Sequence, residues 1–196
     1  MALLPVGKGT LAGWCKEIRL SEDQIEAIKA RASAGSRAGI PVDTQHKRRA
    51  EIQRIRDDAR FEALDLMDDP IWLAGVVLYW AEGSKATKSL EMANTDPRAL
   101  RFFVRWVREY LDQGAEFDLQ IHLHEGNDEP LARLFWRNAT GLVDPRFHRS
   151  FIKPKGTGHR KNHLPHGVCK VRVRRGADMW NRVMAWRDVV AEALGP

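Results

Sequence analysis

Ile71-Trp72-Leu73-Ala74-Gly75-Val76-Val77-Leu78-Tyr79-Trp80-Ala81-Glu82-Gly83-Ser84 is an uncharged apolar run that closes on a single carboxylate. Its eleven uncharged residues, 71–81, are too few for a bilayer, which needs about 20, and enough for about three helical turns inside a protein core. At about 100° per residue Gly75, Leu78, Tyr79 and Glu82 share one face. A glycine on such a face admits a second backbone, and Gly83 suits a left-handed cap that stops the helix. The stretch therefore predicts a tightly packed helix holding Glu82 at its carboxyl end.

The rest of the chain reads as alternating elements around that helix. Leu90, Met92 and Asn94 alternate over 88–94 as a strand, and Asp96-Pro97 opens a helix with Leu100, Phe103, Val104, Val107 and Leu111 inward. That helix also carries Arg98, Arg101, Arg105 and Arg108 along one flank, a stripe suited to phosphate or a partner surface. Residues 117–124 alternate strictly, with Phe117, Leu119, Ile121 and Leu123 inward and Asp118, Gln120, His122 and His124 outward. A helix over 128–138 with Leu131, Leu134 and Phe135 inward, strands near 147–153 and 168–174, and a helix over 177–193 complete the chain. The order predicts an α+β fold: a layer of helices on one face of a mainly antiparallel sheet.

Upstream of residue 69 the pattern is all-helical. Leu11, Trp14 and Ile18 recur at helical spacing behind Lys8 and Thr10, which matches either the recognition half of a helix-turn-helix or a plain amphipathic helix. Ser21 and Gln24 form a capping box for a helix with Ile25 and Ile28 inward, ending near Gly35. A long polar helix over 44–66 follows, with Ile52, Ile55 and Ala59 as a narrow seam. Three parts are expected: a helical segment over 1–40, a basic connecting helix over 41–68 and an α+β domain over 69–196.

Charge singles out one region. The 196 residues carry a net charge of +6. Yet 146–175 holds ten Lys or Arg and no Asp or Glu, leaving 22 basic against 26 acidic residues elsewhere. Localised basicity of this kind points to a polyanion surface. Arg149, Lys153, Lys170, Arg172 and Arg174 are its strand candidates, with Lys155, Arg160 and Lys161 in the loop between. Gly156 and Gly158 give the loop anion-approachable amides, but no helix follows to make a P-loop. His122 and His124, or His159, His163 and His166 near Cys169, offer imidazoles without a regular ligand spacing, so hydrogen bonding is preferred over metal binding. Two lone cysteines suggest no disulfide framework, and with no secretory signal or membrane span the expected setting is cytoplasmic.

The closing Ala81-Glu82-Gly83-Ser84 of the apolar helix resembles the signature of the LAGLIDADG homing-endonuclease fold. The literal Leu73-Ala74-Gly75 lies two residues out of register with it, and Glu replaces the commoner Asp. The resemblance implies paired signature helices from two subunits, hence a homodimer packed through Gly75 and Tyr79, with a sheet saddle on double-stranded DNA. It also implies that Glu82 is a catalytic residue and Mg²⁺ ligand if the chain is a nuclease. Joined to a helix-turn-helix, the pattern is similar to bacterial regulators that bind DNA without cutting it and need no cofactor. Regulatory DNA binding is the leading expectation, with Mg²⁺-dependent DNA cleavage and RNA binding as alternatives.

Overall fold

A computed structural model describes residues 20–37, 42–154 and 164–195. The chain divides into two compact units, Met1–Arg49 and Ala50–Pro196. In the first, helix α1 (Glu22–Arg37) begins at the expected capping box: the Ser21 amide donates to Gln24 Oε1 at 3.0 Å and the Gln24 amide to Ser21 Oγ at 3.3 Å. Ile25 and Ile28, expected inward, are exposed. Lys8, Thr10 and the rest of the helix-turn-helix reading lie outside the described residues.

The boundary between the two compact units falls inside α2 (Val42–Leu66). From Ala50 onward this helix belongs to the second unit. Its small residues Ala59 and Ala63 are buried, while Glu62 accepts hydrogen bonds from Arg182 and from Trp186 Nε1 and Arg60 bonds Glu192 at 2.7 Å. The apolar seam thus continues one turn beyond Ala59, and buried alanines let the helices approach closely.

Helix α3 (Pro70–Glu82) is the apolar stretch. Asp69 caps it, accepting from the Ile71 and Trp72 amides at 2.8 and 3.1 Å, and its second oxygen takes the Tyr110 hydroxyl at 2.7 Å. The Tyr110 bond, with the two amides, holds the Asp69 carboxyl below its ordinary range. Trp72, Gly75, Val76 and Tyr79 are buried. A Cβ on Gly75 would lie 2.0 Å from the indole of Trp106, whose Nε1 donates to the Trp72 carbonyl at 3.1 Å. Tyr79 stacks on Phe103 at 6.1 Å, so the Gly75 and Tyr79 face is filled by the chain's own next helix and is not open to a second copy. Gly83 also differs from the expectation: its φ of −71° is extended, and it pairs with Met92 in the sheet. Glycine is needed there because a Cβ would meet the Tyr79 ring at 2.4 Å.

After β1 (Glu91–Asn94) come α4 (Pro97–Tyr110), β2 (Phe117–His124), α5 (Glu129–Thr140), β3 (Arg146–Phe147), β4 (Phe151–Lys153), β5 (Val168–Val173) and α6 (Ala177–Leu194). The α+β class is as expected, and most strand pairing is antiparallel: β5 lies between β1 and β2, antiparallel to both. The strand expected over 147–153 is instead two short pieces, both parallel to β2 on its other edge, so they do not pair with β5. Phe117, Leu119, Ile121, Leu123, Cys169, Val171 and Val173 point into one buried core. There Trp186 meets Trp72 and Trp106 edge-on, at 5.5 and 5.8 Å. On α5 the inward residues are Ala132, Trp136 and Thr140, while Leu131 and Leu134 are exposed. No described helix is long and apolar enough to cross a membrane.

Candidate nucleic-acid interface

Strand alternation leaves the second face of the sheet polar, and the pairing register sorts it into rows. Glu91, Arg172, Asp118 and Arg146 stand opposite one another across β1, β5, β2 and β3. Arg172 Nε donates to Glu91 at 2.6 Å, and Arg174 Nε to Asp118 at 2.6 Å, with a further bond from Arg174 to Glu116 at 2.9 Å. His148 Nε2 lies 3.1 Å from the other oxygen of Asp118. Glu91 and Asp118 are 4% and 8% exposed. Burial alone would push the Asp118 carboxyl up, but hydrogen bonds from Arg174 and His148 outweigh it and hold the group below its ordinary range. Arg172 and Arg174 thus neutralise buried carboxylates, which the reading of the basic segment missed. The signal was present, since Glu91 and Asp118 both fall on the outward phase of their strands.

One step along the strands the balance changes. Lys170 faces Gln120, whose amide donates to the Arg149 carbonyl at 3.3 Å, in the break between β3 and β4. Asp118, Gln120, His148, Arg149, Lys170 and Arg172 line a depression of about 350 Å³. A row further, His122 is exposed beside Phe151, with ring centroids 5.7 Å apart, and Lys153 faces His124. Among the described residues, Arg146, Arg149, Lys153 and Lys170 have no carboxylate within ion-pair distance. Arg146 is an addition to the expected set. The open face is therefore a floor of paired charge beside cations that no described carboxylate neutralises, which suits a phosphate backbone. Lys155, Arg160 and Lys161 lie outside the described residues.

The remaining candidates are distributed elsewhere. Glu82 is exposed on the last turn of α3. Among the described residues no three His, Cys, Asp or Glu gather as a metal-binding group. Cys169 points into the core, where burial pushes its thiol up to about 12, far from thiolate chemistry. His166 stacks on Phe135 at 3.9 Å and its carbonyl takes Trp136 Nε1 at 2.7 Å, a packing role. Compared with protein-family models, curated proteins and solved structures, the chain matches none.

Proposed function

We propose that this chain is a regulatory DNA-binding protein that lays the open face of its sheet on duplex DNA and works without cutting it. The observation that carries the reading is the set of cations Arg146, Arg149, Lys153 and Lys170, which have no described carboxylate within ion-pair distance, on one face of a sheet whose other face is core. Each contact with a phosphate releases condensed counterions, so several cations on one surface favour a long polyanion over a small acid.

A homodimer belongs to the same reading, through a different face of α3 from Gly75 and Tyr79. Ile71, Val77 and Trp80 are exposed, and Ala74 and Ala81 lie with them on an arc that carries no charge until Glu82. An uncharged helix face with small residues at its centre suits close packing against its own copy about a two-fold axis. Pairing there with the two helices parallel would bring the two Glu82 carboxylates near each other at their carboxyl ends.

The test is duplex binding by fluorescence anisotropy across a salt series. The Arg146→Ala, Arg149→Ala, Lys153→Ala, Lys170→Ala combination should flatten the log–log salt slope by about 3 to 4 units, at about 0.9 per contact. An unchanged slope removes this face from the interface. Mg²⁺-dependent cutting of the duplex by the wild type would replace a binder with a nuclease, and a preference for structured RNA would replace the partner.

A further inference from the structure

On the helical side of the sheet, α4 turns Arg98, Arg101, Arg105 and Arg108 into solvent within about 80° of its circumference. Arg98 is held by Asp96 at 3.0 Å. Among the described residues the other three have no carboxylate within ion-pair distance, and Glu109, exposed on the same flank, pairs with none of them. Two of them are steadied by aromatic rings instead: the guanidiniums of Arg105 and Arg108 sit 5.9 and 5.4 Å from the centroids of Phe102 and Phe117. Clustered like charges repel, so three arginines that no described acid neutralises are open to an anionic partner.

What the arginines border narrows the class of partner. Between α4 and the end of α5 they rim a groove of about 410 Å³ that Phe102 and Val104 floor and Thr140 and Gly141 close. The Thr140 hydroxyl already donates to the Trp136 carbonyl at 2.7 Å, so the groove offers little polar recognition beyond its rim. A phosphate backbone would use the rim and leave the apolar floor idle. It would also lie on the side of the sheet away from Lys170 and Arg149, beyond the reach of one duplex.

We infer that this groove docks an acidic peptide segment of a partner protein, its carboxylates on Arg101, Arg105 and Arg108 and a bulky apolar side chain on the Phe102 floor. The inference stands apart from the DNA reading and is tested separately. Random 12-residue peptides displayed on phage are selected on the full chain with counter-selection on Arg101→Glu/Arg105→Glu, and the consensus peptide is then measured by anisotropy.

The expected consensus places Asp or Glu around a Leu, Phe or Trp. Affinity should fall at least tenfold for Arg101→Glu/Arg105→Glu, and at least tenfold again when the peptide's apolar residue becomes Ser. Arg101→Gln/Arg105→Gln should lose less, and thermal unfolding and duplex affinity should stay close to wild type in both variants because, among the described residues, the two arginines make no hydrogen bond or ion pair and Arg105 rests only on the half-buried Phe102 ring. A selection without an acidic and apolar consensus, equal binding by the variants, or a Ser peptide that keeps its affinity overturns the inference. Loss of duplex binding in Arg101→Gln/Arg105→Gln would assign the stripe to nucleic acid.

Discussion

A carboxylate on the last turn of a helix faces the negative end of the helix dipole, and Glu82 occupies that position on α3 with its side chain in water. A second copy across a two-fold axis adds like-charge repulsion. Glu82→Gln should therefore leave thermal stability equal or slightly raised and duplex affinity unchanged, in a melt and a binding titration; cutting by the wild type that this variant abolishes would reverse the assignment. The sheet's arginines divide by their neighbours. Arg172→Ala leaves Glu91 buried without its guanidinium and should lower stability by about 1–3 kcal/mol in urea denaturation. Lys170→Ala, which bonds no carboxylate, should stay within about 0.5 kcal/mol. Asp118 adds a pH signature. Its folded-state carboxyl is held below the unfolded value, so its stabilisation is complete above the unfolded range of about 4 and is lost as pH falls through the lower folded value. The stability gap between wild type and Asp118→Asn should be flat near neutrality and close only under acid, as urea midpoints across pH will show.

At the scale of the element, α3 has two faces with opposite jobs. Its inward face is specified to the atom: Gly75→Ala places a methyl where the Trp106 indole lies and should destabilise the folded chain by about 1–3 kcal/mol or more, read as a lowered thermal midpoint. Its outward face is apolar and exposed among the described residues. Val77→Glu should leave helical content intact in circular dichroism and make the protein monomeric at micromolar concentration in sedimentation equilibrium. A wild type that is already monomeric, with and without DNA, would dismiss the paired helix. The apolar run and its Glu82 end were legible because a change of hydropathy is a local signal. Which of its two faces meets the chain itself was not, since every residue from 71 to 81 is apolar or small and periodicity has nothing to separate.

For the whole molecule, the fold begins inside α2. A chain starting at residue 50 should unfold cooperatively, whereas one starting at 69 loses Ala59, Ala63 and the Glu62 acceptor for Arg182 and Trp186, and should melt far lower or aggregate in a thermal scan. The polar surface of the 44–66 stretch hid this, because a seam of alanines buries little area per residue and reads weakly against so many charges. By itself the sequence determined the α+β class, most of the described helices and strands in their order, the capping box at Ser21, the strict alternation of β2 and the concentration of basic residues over 146–175. All of these follow from periods of 2 and 3.6 or from composition, which are properties of neighbouring residues. Only the tertiary structure decided that β5 sits between β1 and β2, that Arg172 and Arg174 are tied to Glu91 and Asp118 while Arg146, Arg149, Lys153 and Lys170 meet no carboxylate among the described residues, and that Trp106 covers Gly75. Those are pairings between residues tens of positions apart, set by which strand edges and helix faces meet once the core closes, and no local pattern carries them.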